Sequence, residues 1–269
     1  MGLDMPLYTA DALILRTYKL GEADRIVVFL TEDRGKKRGV AKGARRPRSR
    51  FAGALEPLTR VRLAYFEKEQ RELVGLNYAD PSCSPLSARP EALGHIGYFA
   101  ELIDQWAQDG DPNDRLYRLG ASLLDALAAG GSVEPLARYF EFWLLRLQGV
   151  YPSIAACHGC GSAFDVRGGG AYLEPGHAVF TCGACAPAAQ VREPHLSRGA
   201  LAFLRAARRT APSDVTAIGV AGDTLAELET VHRMLMGRHL ERELKSTRVL
   251  RDLRRAARGA PLREAEAKR

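Results

Sequence analysis

The chain has 269 residues and a net charge of +7, from 39 lysines and arginines against 32 aspartates and glutamates. Its 46% hydrophobic and 26% charged content exclude a disordered or collagen-like polymer. No apolar run reaches the ~20 residues that cross a bilayer, and the first sixteen residues have neither the basic nor the uninterrupted apolar part of a signal peptide. The expected address is therefore the cytoplasm, with no membrane partner. Five cysteines, an odd number in such a chain, argue for metal or thiol chemistry over a disulfide framework.

At ~150 residues per domain the length suggests at least two domains, and short strands fill the first. ALILR (12–16), RIVVFLT (25–31), RGVAK (38–42), TRVRLAYFE (59–67) and RELVGLNYAD (71–80) follow one another with Gly-containing turns. In the fourth, Val61, Leu63 and Tyr65 alternate with Arg60, Arg62 and Phe66. Five short strands in about eighty residues suit the OB-fold barrel, a nucleic-acid-binding architecture. Within this region RGKKRGVAKGARRPRSR (34–50) carries nine basic residues and no acid: Arg34, Lys36, Lys37, Arg38, Lys42, Arg45, Arg46, Arg48 and Arg50. The other 252 residues sum to about −2 by difference, so the basicity is focused on one segment, as a polyanion contact requires. The segment is expected as a loop between strands. Phe51, Tyr65, Phe66 and Tyr78 are the aromatic candidates for stacking on bases, with the barrel core as their alternative place.

PSCSPLSARP (81–90) marks the expected end of the barrel domain, 1–80. Helical spacing follows at Leu93, Ile96, Phe99, Ile103 and Trp106, at Leu116, Leu119, Leu123 and Leu127, and at Leu136, Phe140, Trp143, Leu144 and Leu147, with Gly149 as a C′ residue. A further helix opens at Ser197. Thr224 and Glu227 in TLAE form a candidate capping box for a long helix that runs through Leu228, Leu235 and Leu240 into the basic stretch that follows. A helical domain thus occupies 81–156 and 187–269, the second part ending in a basic tail, and a separate segment, 157–186, interrupts it.

That segment holds two CxxC pairs, Cys157 with Cys160 and Cys182 with Cys185. Each pair presents two sulfurs from one tight turn, helped by Gly159, Gly161 and Gly183, and two such turns complete a tetrahedral site for one zinc ion. Four thiolates leave no position for water or substrate, which makes the metal structural. His158 and His177 are superfluous as ligands. His239 and Glu241 make an H-x-E like that of zinc deaminases, but both CxxC pairs precede it, where a deaminase has its P-C-x-x-C after. Cys83 stands alone in the hinge with no base beside it.

GEADRIVVFLTEDRGKKRGVAKGARRPRSRFAGALEP (21–57), the CxxC pairs after LQGVYPS (147–153), LSRGALAFLR (196–205) and HRMLMGRHLERELKS (232–246) together resemble the bacterial RecO family of DNA repair proteins. The resemblance extends to about residue 250 and implies an α+β multidomain protein, an N-terminal OB-fold barrel and a C-terminal helical bundle with an embedded four-cysteine zinc-binding segment. It implies a recombination mediator, not an enzyme. Such a protein binds single- and double-stranded DNA, anneals complementary strands, and with RecR helps load RecA onto strands coated by single-stranded DNA-binding protein (SSB). Its place is the bacterial cytoplasm, at the nucleoid. Gripping the acidic, apolar SSB tail needs an apolar groove rimmed by positive charge, for which Arg238 and Arg242 are candidates, with Leu235, Met236 and Leu240 beside them and Arg233 nearby. The rival readings are a zinc-ribbon protein acting on RNA or in transcription, and a metal hydrolase, for which no ligand cluster beyond the closed four-cysteine site is present.

Overall fold

In the computed structural model, residues 6–67, 72–88, 90–164, 169–174, 176–186, 194–240 and 244–257 are described. In chain order the elements are β1 (Leu7–Leu20), β2 (Asp24–Thr31), β3 (Gly35–Ala41), β4 (Arg60–Phe66), β5 (Leu73–Cys83), α1 (Pro90–Trp106), α2 (Asp114–Ala128), α3 (Val133–Leu147), β6 (Ala171–Glu174), β7 (Val179–Cys182), β8 (His195–Leu196), α4 (Arg198–Ala207), α5 (Gly222–Gly237) and α6 (Lys245–Ala257). Their contacts form two compact units, Met1–Gly130 with Glu243–Arg269, and Gly131–Arg242. The division falls at Gly130, and not in the 81–90 stretch where composition changes.

In the first unit β1 to β5 close into a barrel in the order β1-β2-β3-β5-β4, with β4 returning to β1. All pairs are antiparallel except β3 with β5, the OB arrangement the strand pattern predicts. Period-two alternation supplies the interior: Ala10, Ala12 and Ile14, Val27 and Phe29, Val61, Leu63 and Tyr65, and Val74 and Leu76 share one core. Phe29 and Tyr65 are fully buried, and a phenylalanine so placed contributes about 1.5–3 kcal/mol of burial. β1 is longer than its sequence core because it pairs β4 through Leu7–Leu13 and β2 through Ala12–Leu20, and the register shift between Ile14 and Arg16 bends it from one partner to the other. Leu13, Val28 and Leu30 point out of the barrel yet are buried, and Leu15, the extra residue at the register shift, is buried as well. Strand β1 packs on α1 and α2, and Gly120 of α2 lies on Leu13, where a Cβ would clash.

Helix α1 is also tied to the barrel by charge. Asp104, 5% exposed, pairs with Arg16 of β1 and Lys36 of β3. Helix α6 packs on α1, and the Glu101 carboxylate accepts the N–H groups of Lys245 and Ser246 (3.1 and 2.8 Å), capping the first turn of α6. One continuous helix from Thr224 into the basic stretch is therefore incorrect. Helix α5 stops at Gly237, and the basic stretch forms α6 in the other unit.

The second unit combines α3, α4, α5 and a three-stranded sheet in the order β7-β6-β8. Helix α3 ends with Gln148 as its C-cap and Gly149 at φ 71°, the C′ position expected of it. Ser197 caps α4 by accepting the Ala200 N–H (3.2 Å). The expected capping box at Thr224 does not form, since α5 begins at Gly222 with Ala221 as its cap. Glu227 serves a different helix: its carboxylate accepts the Ser197 N–H (3.0 Å), so the box is completed across two elements at α4.

Candidate nucleic-acid interface and metal centre

The basic segment is only partly the loop that its composition suggests. Its first half is strand β3, entered through Gly35 at φ 68°, where a Cβ would run into the backbone of Asp111. Here the charges are largely engaged. Lys36, 11% exposed, donates to the Asp104 carbonyl (2.8 Å) and lies 3.5 Å from the Asp109 carboxylate. Burial lowers its pKa, and Asp109 opposes that shift. Lys37 pairs with Glu67 at 2.7 Å and Arg38 with Asp109 at 3.1 Å. Arg34 lies over the Tyr8 ring, 4.1 Å from its centroid, and 3.7 Å from Asp33.

The second half, beyond Ala41, is a chain of tight turns in which Ala44, Arg46, Ser49, Ala52 and Ala54 each donate to the carbonyl three residues back. These turns are anchored at both sides. Phe51, Ala54 and Leu55 plug the barrel core, while Gly43 donates to the Asp24 carboxylate (2.8 Å) and the Arg45 backbone N–H to the Ala23 carbonyl (2.9 Å), fixing the turns to the β1–β2 hairpin. The Arg45 guanidinium reaches the Gly21 carbonyl (2.8 Å). Lys42, Arg45, Arg46, Arg48 and Arg50 are all exposed. Among the described residues none of the five makes an ion pair. The structure thus sorts nine charges into four engaged ones, Arg34 and three on β3, and five open ones on an anchored, irregular platform.

Two aromatic candidates for stacking are excluded by burial, Phe51 at 2% and Tyr65 at 0% exposure. Phe66 and Tyr78 are half-buried. Sequence reasoning misses Tyr18, 45% exposed on β1, because the expected first strand ends at Arg16; the alternation Arg16, Tyr18, Leu20 is the available signal.

The four cysteines come together as their spacing predicts, their sulfurs all within 4.8 Å of one another. In the first turn the Cys157 N–H donates to the Ser162 carbonyl and the Gly161 N–H to the Cys157 carbonyl (both 2.9 Å). In the second, which follows β7, Cys185 and Ala186 donate to the Cys182 carbonyl (2.9 and 2.8 Å). The turns lie so close that a Cβ at Gly159 would stand 3.3 Å from Cys185 Sγ. Cys160 and Cys182 sulfurs are 3.8 Å apart, the edge of a tetrahedron of about 2.3 Å metal–sulfur bonds. Burial resists ionisation of Cys157, yet N–H groups of residues 160, 182 and 159 outweigh it and lower its pKa. Hydrogen bonding with Ser162 draws Cys160 down to about 6, whereas bonds to the other three cysteines push Cys185 up to about 12. A cation bound among the four sulfurs would favour their thiolate forms. Among the described residues no other group of three or more potential ligands lies this close. His158 and His177 are exposed, and His177 bonds Glu174 instead.

The same unit contains a buried polar cluster that sequence reasoning misses. His232 of α5, fully buried, bonds the Glu141 carboxylate through Nδ1 (2.9 Å) and the Tyr151 hydroxyl through Nε2 (3.1 Å). Glu141 also pairs with Arg138 at 3.0 Å, and Arg138 lies 3.5 Å from Glu229. Tyr151 packs edge-on against Phe142 of α3 and beside Phe180 of β7, so it joins the helices to the cysteine-bearing hairpin.

Around the proposed tail contact, Arg238 is the exposed C-cap of α5, and Arg242 lies outside the described residues, as does Glu241. Leu235 and Met236 are core residues, and Leu240 is half-buried. His239 lies in the turn beyond α5, not on a helix face.

Two family models match the chain, Recombination protein O N terminal over residues 5–84 and Recombination protein O C terminal over residues 88–248. The chain belongs to the RecO family. Relatives named DNA repair protein RecO include that of Koribacter versatilis, 42% identical over 63% of this chain and 68% of the relative. That of Anaeromyxobacter sp. strain Fw109-5 is 35% identical over 88% and 93%, and that of Symbiobacterium thermophilum 32% over 94% and 100%. The two RecO models meet within the 81–90 stretch, so the family's sequence division follows the composition change while the contact division lies further on. Among the described residues no helix is long and apolar enough to cross a membrane.

Proposed function

We propose that this RecO-family chain is a non-catalytic recombination mediator of the bacterial cytoplasm and nucleoid. It binds single- and double-stranded DNA, anneals complementary strands, and with RecR helps load RecA onto SSB-coated DNA. The observation that carries this reading is the anchored platform of five open cations beside an OB barrel. Phosphate neutralisation gives sequence-independent affinity, and annealing requires only that two phosphate backbones be screened from each other while their bases stay free to pair. Arg34, Lys36, Lys37 and Arg38 belong to the same interface as its ion-paired border, and Lys42, Arg45, Arg46, Arg48 and Arg50 are its principal contacts.

The four-cysteine site fits one zinc ion held by Cys157, Cys160, Cys182 and Cys185. With four sulfur ligands it supplies local folding energy and no open coordination position. The SSB tail is assigned to the positive rim at Arg238 and Arg242. Because Leu235 and Met236 are core, the rim and not the apolar floor carries that assignment. Reversing both charges to Glu should leave annealing of naked strands intact and slow annealing of SSB-coated strands; equal rates on coated strands would remove the tail from this rim.

The principal test is the salt dependence of binding to a single-stranded oligonucleotide. Five phosphate contacts give a slope of log K against log salt of about −3.5, from −0.7 per contact. Replacing Arg45, Arg46 and Arg48 by Ala should flatten it by about 2. An unchanged slope would place the contact surface elsewhere. Matched DNA and RNA oligonucleotides compared in the same assay separate this reading from an RNA-directed zinc ribbon, which would prefer RNA.

A further inference from the structure

The outer face of the β1–β2–β3 sheet is divided in two. Val27 and Phe29 point into the barrel, so their neighbours Ile26 and Val28 point outward. Directly opposite residues share a face, which defines two outward rows: Arg16, Val28 and Arg38, then Tyr18, Ile26 and Val40. Val28 is 3% exposed, and Arg16 of that first row is bound to Asp104 of α1. The first row is thus the last one beneath the helix. The second row, about 7 Å further along the strands, is open: Tyr18 is 45% exposed, and Ile26 and Val40 are half-buried.

This short apolar strip lies between two sets of cations. Arg16 and Arg38 border it on one side, and the Arg16 guanidinium sits over the Tyr18 ring, 5.4 Å from its centroid. On the other side the β1–β2 hairpin end is held by Arg45, and Lys42 follows β3. Arg16 is itself fixed by Asp104, so the cation covering Tyr18 is anchored. An exposed aromatic ring with one anchored cation over it, in an apolar row flanked by phosphate-binding groups, has the chemistry of a stacking platform for unpaired bases.

We infer that Tyr18, with Ile26 and Val40 beside it, is the base-stacking contact for single-stranded DNA, the phosphates running over Arg38, Lys42 and Arg45. This rests on the proposed DNA-binding function and adds to it a specific subsite. A base in a duplex is already stacked and paired, so the subsite favours single strands and contributes nothing to duplex affinity.

The test measures binding of the full chain to oligo(dT) and to a duplex across a salt series, for the wild type, Tyr18→Thr and Tyr18→Phe. Tyr18→Thr should weaken oligo(dT) binding at least fivefold at every salt concentration, leaving the slope and duplex affinity unchanged, and Tyr18→Phe should restore wild-type affinity. Both substitutions suit an exposed strand position, so folding is preserved. Wild-type affinity of Tyr18→Thr for oligo(dT), or an equal loss on duplex, would overturn the stacking role while leaving the DNA-binding function standing. A wild-type protein that binds neither nucleic acid would overturn both.

Discussion

At the scale of single residues, the most informative group outside the candidate interface is His232. Its ring is fully buried, and burial lowers its pKa below the ordinary 6.5, against the raising influence of Glu141 and with Arg138 adding to the depression. The groups facing it are Glu141 and Arg138 of α3 and the Tyr151 hydroxyl, with Glu229 of α5 itself beyond Arg138. With Nδ1–H donating to the carboxylate, Nε2 is left to accept from Tyr151, an arrangement that needs the neutral ring. Below about pH 6.5 the unfolded chain takes up a proton that the folded one refuses. Stability contributed by this site is therefore complete above that pH and declines as pH falls toward the lower folded value. Urea unfolding at pH 7.5 and 5.5 should show a drop in the wild type that is smaller in His232→Gln; equal drops in the two proteins would remove His232 as its source. None of this cluster is legible in the sequence, because its members are spread from Arg138 to His232 and are brought together only by packing. Glu227 is the same kind of case: its distance from Thr224 is right for a capping box, and the fold uses it on Ser197 instead. The cysteines are legible for the opposite reason, since each turn is local and two turns suffice.

At the scale of elements, the strands are readable by alternation and the helices by their apolar stripes, but ends and partners are not. The apolar run of β1 stops at Arg16, which conceals Tyr18 and the open row. The chain after Gly237 reads as more of α5, although that glycine is a stop signal, and α6 belongs to the other unit. Basic charge density marks the candidate interface without showing that Lys36, Lys37 and Arg38 have acidic partners, since Glu67, Asp104 and Asp109 are remote in sequence. The cysteine-bearing hairpin has little core of its own. Among the described residues of 157–185, Cys157, Phe164, Ala171, Leu173, Phe180 and Thr181 are the buried members, so a metal bound there would contribute largely local folding energy. Cys182→Ser should abolish binding of one zinc per chain and open the 157–185 region to protease, while the barrel stays folded and binds DNA with the wild-type salt slope. Metal analysis of protein purified under reducing conditions without chelator, followed by limited proteolysis, decides this. A zinc-free wild type, or a zinc-free variant as protease-resistant as the wild type, would contradict it.

At the scale of the whole molecule, the net charge of +7 is carried chiefly by one segment, and the fold presents that segment on and beside the barrel. The barrel carries the five open cations and an apolar row, while the second unit carries the four-cysteine cluster and Arg238. On the proposed function the protein holds two strands together, and its effect should appear as a rate of pairing. The most direct measurement is the annealing rate of two complementary, fluorescently labelled single strands, followed by energy transfer at about 50 mM salt with and without the protein. The wild type should accelerate pairing at least tenfold, raised salt should suppress that acceleration, and the Arg45, Arg46 and Arg48 triple Ala variant should lose most of it. Strands that are bound by the protein yet pair no faster than in buffer would contradict the account.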